Sequence, residues 1–366
     1  MNSIPLPQVD PVAVPAPGWL LRVLLLVTFF LHILPMNWVL GGSILAVASR
    51  ARGRRGSPHH AELARKIGKS LPVAVAAAVT LGVAPLLFVQ TLWGRLFFPA
   101  SVTMAWLWFA VIPILILAYY GTYRVAMAGE KAQGTGLVAA LSALFFLTIA
   151  FFYVNNMSAM LRPDSVAARH MADPRGWALN VADPTFWPRF LHFVLGAVAV
   201  AGLGVAGLGV LRRKAEPEFA AFAMRHGALW FVAATMANIV AGFAWILLLP
   251  REVMLRFMGG SALATALLAV GAVLGLAALL VMTLAISAKQ PERSVRLGFL
   301  VLIATLVVMV LERDQVRAGF LERMAFEPSP WVAPQWGVIG IFLVLLVAAL
   351  ATIGWMIWPR QDRGLP

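Results

Sequence analysis

Long apolar runs separated by short polar gaps set the pattern of this chain. A helix crossing the hydrocarbon of a bilayer needs about 20 apolar residues at a rise of ~1.5 Å each. Runs of that kind occupy 18–48, 70–94, 101–127, 134–157, 187–212, 222–249, 260–288, 295–312 and 335–358. A backbone in hydrocarbon has no water to pair with, so each run is predicted to be a helix. The apolar positions are continuous instead of alternating every second residue, which excludes a membrane β-barrel. The pattern predicts an all-α, polytopic bundle of about nine transmembrane helices, forming one domain over residues 1–366.

Charge then orients the bundle. Alternate loops (50–69, 124–131, 212–225, 289–296 and the C-terminus) collect 18 Lys/Arg against 6 acids, and the opposite set has 11 against 9. Under the positive-inside rule the first set is cytoplasmic, so the N-terminus lies outside and the C-terminus in the cytoplasm. Residues 158–186 form the longest outer loop, a candidate docking segment for a partner and a candidate short amphipathic helix. Trp187, Trp331 and Trp336 stand where outer interfacial aromatics belong. No Lys or Arg precedes Arg22 and no small-residue cleavage site precedes a charged loop, so the first run reads as a retained helix.

Composition agrees: 61% of the 366 residues are hydrophobic and 12% charged. A water-soluble surface needs more charge than that, and the lipid bilayer is the predicted surrounding. The net charge of +14 is scattered through interhelical loops, with no domain that could track phosphates, so nucleic acid is not a predicted partner. With no cysteine, disulfides, thiolate-held iron–sulfur clusters and covalently attached haem are excluded. A cofactor would have to be held by His, Met, carboxylates or packing.

Two histidines, His32 and His192, lie clearly inside predicted helices, and an ionisable group at membrane depth calls for a partner or a cofactor. His32 stands in FFLHILPMNWVLGGS, with Pro35 one turn on and Gly41, Gly42 and Ser43 following. Small residues there would admit either a neighbouring helix or a flat macrocycle, so hydrogen bonding and ligation are both open for His32. His192 stands in PTFWPRFLHFVLGAVAVAGLGVAG near the outer end of its helix, with Gly196, Ala199 and Leu203 on its face and Arg189 one turn outward. Imidazole, small residues and an interfacial guanidinium are what a b-type haem requires for its iron, ring and propionates, and helix packing with an interfacial Arg is the alternative. Methionine is the other soft axial ligand. Among fifteen, depth selects Met309, level with His192, and Met236, nearer His32. Glu312, Arg313, Asp314 and Arg317 cap the eighth predicted helix, where they could anchor propionates, bind a partner or pair among themselves in solvent. Arg22, Arg95 and Gln90 are donors of the type quinone sites use.

The His32 segment with its Gly-Gly, the WPRFLHF segment, VTLGVAPLLFVQTLWG, the LERDQVR stretch and the PQWGVIGIFLVLLVAALATIGWMIW helix follow in an order that resembles subunit I of cytochrome bd-type quinol oxidases, over nearly the whole chain. The resemblance implies that His32 ligates a high-spin haem. It implies that His192, with a Met from a later helix, ligates a low-spin haem b on the outer side. Two features depart from that family. No acid occurs between Glu62 and Glu130, where the oxygen-reducing site has its carboxylates, and the long quinol-binding loop is replaced by REVMLRFMGG. The expectation is a reduced relative in the cytoplasmic membrane of a bacterium. It would be a subunit holding one or two haem b groups that passes electrons between the quinone pool and an outer redox subunit such as a c-type cytochrome. A haem-free anchor subunit, and a secondary transporter with Pro35, Pro85 and Pro113 as helix breaks, are the competing readings; the sequence shows no inverted repeat.

Overall fold

The computed structural model describes residues 13–128, 134–326 and 331–357. The expected placements of residues 1–12 outside and of 358–366 in the cytoplasm lie outside the described residues. Eleven α-helices follow in order: α1 (Gly18–Gly53), α2 (Pro58–Thr103), α3 (Ala105–Met127), α4 (Thr135–Ala159), α5 (Pro163–Ala172), α6 (Phe186–Arg212), α7 (Pro217–Leu247), α8 (Arg251–Leu255), α9 (Ala262–Ser287), α10 (Glu292–Arg323) and α11 (Trp336–Ile357), with a π-helical turn Arg256–Gly260 after α8. Nine of these helices are long and apolar enough to cross a membrane. The one β-bridge among the described residues, Val14–Val332, ties the chain before α1 to the chain before α11.

Prolines open several helices. Pro58, Pro163 and Pro217 stand in the first turns of α2, α5 and α7, where a missing N–H costs nothing. Inside helices they do not break the chain. Pro35 lies within continuous α1, Pro113 within α3 and Pro85 within α2, whose one non-helical residue is Trp93 (φ −134°, ψ 34°). The helix breaks that a transporter reading would use are therefore not at these prolines.

Two four-helix groups result, α1–α4 and α6, α7, α9 and α10, and they meet through α1 and α6. Small residues set the contact distances. A Cβ on Gly41 of α1 would lie 2.0 Å from the carbonyl oxygen of Ala197 on α6, and one on Gly227 of α7 would lie 2.4 Å from the Ala206 nitrogen on α6. Only glycine permits backbones to approach so closely. α6 is the most enclosed span, while α11 leans on α2 through Phe88 and Phe342, packs Ile339 on Val14, Ala16 and Leu21, and is largely exposed.

The two groups are an internal duplication running in the same direction. Phe30-Leu31-His32 on α1 returns as Phe190-Leu191-His192 on α6. At the start of the following helices, Pro58, Ala61, Ala64 and Gly68 return as Pro217, Ala220, Ala223 and Gly227.

The end of the bundle where α4 stops and α6 begins, here the loop end, is covered by an ordered connection. α5 is its helical part, as the 158–186 segment suggested. Arg169 on α5 donates to Asn180 Oδ1 at 2.6 Å, and Asn180 donates from its backbone to Asn155 Oδ1 at 3.1 Å and from its amide to Ser158 Oγ at 3.2 Å. At the opposite, basic end, Lys66 joins Glu62 and Glu216 at 2.9 and 2.8 Å, linking the two halves again.

Candidate functional site

Each predicted histidine sits in the same local construction. His32 Nδ1 donates to the carbonyl of Ala78 on α2 at 2.9 Å, and His192 Nδ1 donates to the carbonyl of Asn238 on α7 at 3.2 Å. One turn beyond each carbonyl stands a glycine against the ring. A Cβ on Gly82 would come 2.8 Å from His32 Cε1, and one on Gly242 would come 3.0 Å from His192 Cε1 and Nδ1. Fixing Nδ1–H on a backbone carbonyl selects the tautomer whose Nε2 carries a free lone pair, the arrangement by which proteins orient a metal-binding imidazole.

Above the histidines, toward the loop end, lies a cationic cluster. Arg22 donates from Nε to Asp314 Oδ2 at 2.8 Å, and Arg162 pairs with Asp183 at 3.1 Å. Arg317 reaches Asp314 Oδ1 at 3.6 Å. Arg189 lies within Coulomb reach of Asp183, Arg162 and Arg317, and Arg313 within reach of Arg189 and Asp314. Arg313 is also within reach of His32. Aromatic faces support the guanidinium groups: Arg313 lies 4.2 Å from Phe29, Arg317 4.3 Å from Trp93 at the α2 kink, and Arg189 4.9 Å from Trp245. In this network five arginines (22, 162, 189, 313 and 317) face two aspartates (183 and 314).

Several buried polar atoms of the region have no hydrogen-bond partner, among them Arg189 Nε, Trp245 Nε1 and Asp314 Oδ1. Unpaired N–H groups next to an excess of guanidinium fit the carboxylate edge of a haem, and two imidazoles with free Nε2 atoms beside glycines fit its iron and ring. The residues present therefore match the group that the histidines suggest.

The structure brings His32, His192, Arg189, Arg313 and Arg317 into one region. It corrects the expected end of the eighth span. α10 runs on to Arg323, and Asp314, Gln315 and Arg317 are buried within it rather than capping it in solvent. The helix continues because Arg22 and Arg317 neutralise Asp314 inside the protein. Met309 is half-buried, with its methyl end at Gly271 of α9, beside Glu312. Met236 is 56% exposed on α7. Arg22, a donor of the type quinone sites use, is tied to Asp314. Gly82, Gly242 and Trp245 were not singled out by sequence. The signal for the glycines was the FLH tripeptide recurring 160 residues apart, since Ala78 and Gly82 recur at that spacing as Asn238 and Gly242.

No protein-family model matches the chain and no curated protein does. Among solved structures, a chain in the structure of bd oxidase from Geobacillus thermodenitrificans superposes with a TM-score of 0.66 at 14% identity, covering 94% of this chain and 99% of that one. The fold is similar to that of a bd oxidase chain. The chain is a multi-pass membrane protein of that fold, matched nearly end to end, and the match takes in both halves of the duplication. At this identity the likeness speaks for the fold alone. Within this bd-like fold, α2 and α3 have no acid between Glu62 and the end of α3.

Proposed function

We propose that the chain is a haem-b membrane subunit of a respiratory electron-transfer complex in the cytoplasmic membrane of a bacterium, passing electrons between the quinone pool and a redox partner on the outer side, such as a c-type cytochrome. The observation that carries this reading is the pairing of two carbonyl-clamped histidines with a five-arginine, two-aspartate cluster at one end of the bundle. Haem supplies one-electron exchange at its iron. The chain's residues supply the rest. His192 would hold the iron of one haem through Nε2 and His32 that of a second, each ring kept in orientation by its Nδ1–H bond to a helix carbonyl. Arg189, Arg313 and Arg317 would neutralise the propionates, which explains why more guanidinium than carboxylate is gathered there. Met309, on α10, and Met236, on α7, are the thioethers that would be available as a further ligand beside the histidines.

The absence of acids along α2 beyond Glu62 and along α3 supports electron passage over oxygen reduction, because reducing oxygen at membrane depth requires groups that deliver protons. The proposed orientation puts the arginine cluster and α5 on the outer side, where the 158–186 connection would meet the partner. The test is non-covalent haem per chain, extracted with acidified acetone from the complex purified with its native partners. One or two per chain is expected, with one fewer in His192→Ala. A wild-type preparation with its helices intact and no extractable haem would refute the reading.

A further inference from the structure

The two histidine niches share a scaffold but not their chemistry. At the spacing of 160 residues that relates His32 to His192, Phe29 is replaced by Arg189 and Pro85 by Trp245. Around His32 these two positions are apolar, and the guanidinium there comes from α10, with Arg313 lying 4.2 Å from Phe29. Around His192, Trp245 has its ring 5.9 Å from the imidazole and its face 4.9 Å from the Arg189 guanidinium. Both Trp245 Nε1 and Arg189 Nε are buried without a hydrogen-bond partner. The fold does not require these donors, because the first half builds the same helix pair, carbonyl clamp and glycine without them. Two unpaired N–H donors, one cationic, on adjacent helices and beside a clamped imidazole are built to receive an anionic oxygen.

We propose that Trp245 and Arg189 together form a carboxylate subsite belonging to the His192 niche alone, with the indole N–H and the Arg189 Nε–H donating to a carboxylate of the flat ligand held by His192. This rests on the reading of His192 as a haem ligand. The His192 niche then selects for a porphyrin with free carboxylates through Trp245, a contact that Pro85 cannot make at His32.

The test uses the full-length chain in a His32→Ala background, so that one niche reports. The haem-depleted protein is titrated with iron protoporphyrin IX and with its dimethyl ester, which lacks the carboxylates, and binding is read from the porphyrin absorbance. The free acid is expected to bind at least tenfold tighter than the ester, as one hydrogen bond to a charged group permits. Trp245→Phe keeps an aromatic face beneath Arg189 and removes only the N–H. It is expected to reduce the acid-over-ester ratio about tenfold, whatever small loss the smaller ring causes to both ligands alike. An undiminished preference in Trp245→Phe, or equal weakening of acid and ester, overturns the subsite while leaving His192 as ligand. Binding of neither porphyrin by a folded protein that retains His192 overturns the haem reading and the subsite with it.

Discussion

Replacing Gly242 by alanine puts one methyl group against the His192 ring. The added Cβ would lie 3.0 Å from both Cε1 and Nδ1, whereas non-bonded carbons settle at ~3.5–4.0 Å, so ring or helix must yield by roughly 0.5–1 Å. The ring is held by its bond to the Asn238 carbonyl at 3.2 Å, and such a displacement carries that bond beyond its working length of ~3.2 Å. Overpacking costs about 1–3 kcal/mol and the lost hydrogen bond about 0.5–1.5 kcal/mol. Alanine's better helix propensity returns about 0.5–1 kcal/mol. The balance is a destabilisation centred on about 2 kcal/mol, a few degrees of melting temperature for a chain of this size. Gly275, in the middle of α9, is the control, since nothing lies within 4 Å of its Cβ position and Gly275→Ala gains only the propensity. Thermal unfolding of the detergent-solubilised protein, followed by circular dichroism, should move in opposite directions for the two variants. A Gly242→Ala protein as stable as Gly275→Ala would refute the close-packed imidazole.

Gly227→Val should abolish accumulation of folded protein in the membrane, because its Cβ would meet the Ala206 nitrogen at 2.4 Å on a helix that cannot retreat; normal yields would show that α6 and α7 do not touch there. Asp314→Asn removes the anion shared by the buried Arg317 and the partly exposed Arg22; solvent around Arg22 holds the loss below the about 3–5 kcal/mol of a fully buried pair, read as a fall in melting temperature, and a fall no larger than that for a surface carboxylate would contradict its burial. Because the chain has no cysteine, single replacements report topology directly: with a membrane-impermeant maleimide on intact cells, Arg175→Cys should label and Ser57→Cys should not, and the reverse would invert the proposed orientation.

How much of this was legible in sequence depended on whether a feature has a period or a charge. The nine spans were, because continuous apolar runs of membrane length have few other uses. The eighth was drawn too short at 295–312 because Glu312-Arg313-Asp314 looks like an exit into solvent, and only the partner Arg22, 292 residues away, shows that the helix stays inside the protein. The two histidines stood out as ionisable groups in apolar surroundings. The duplication did not, since its spacing slips from 159 residues at Pro58 and Pro217 to 160 at His32 and His192, and few residues recur. Gly82, Gly242 and Trp245 are ordinary residues for membrane helices; what distinguishes them is a distance to an imidazole or an unpaired nitrogen, which only three dimensions supply. Methionine was the least legible, having neither charge nor period: Met309 turns its methyl toward Gly271 of α9 and Met236 is exposed on α7, and neither placement names a ligand.

The proposed electron path depends on His192 holding a haem through Nε2. A reduced-minus-oxidised spectrum of membranes containing the complex, recorded for the wild type, for His192→Gly and for His192→Gly with added imidazole, tests it most directly. A b-type signal that is lost in the variant and returns with imidazole is expected. A signal unchanged by the loss of His192, in a protein that keeps its helices, would contradict it.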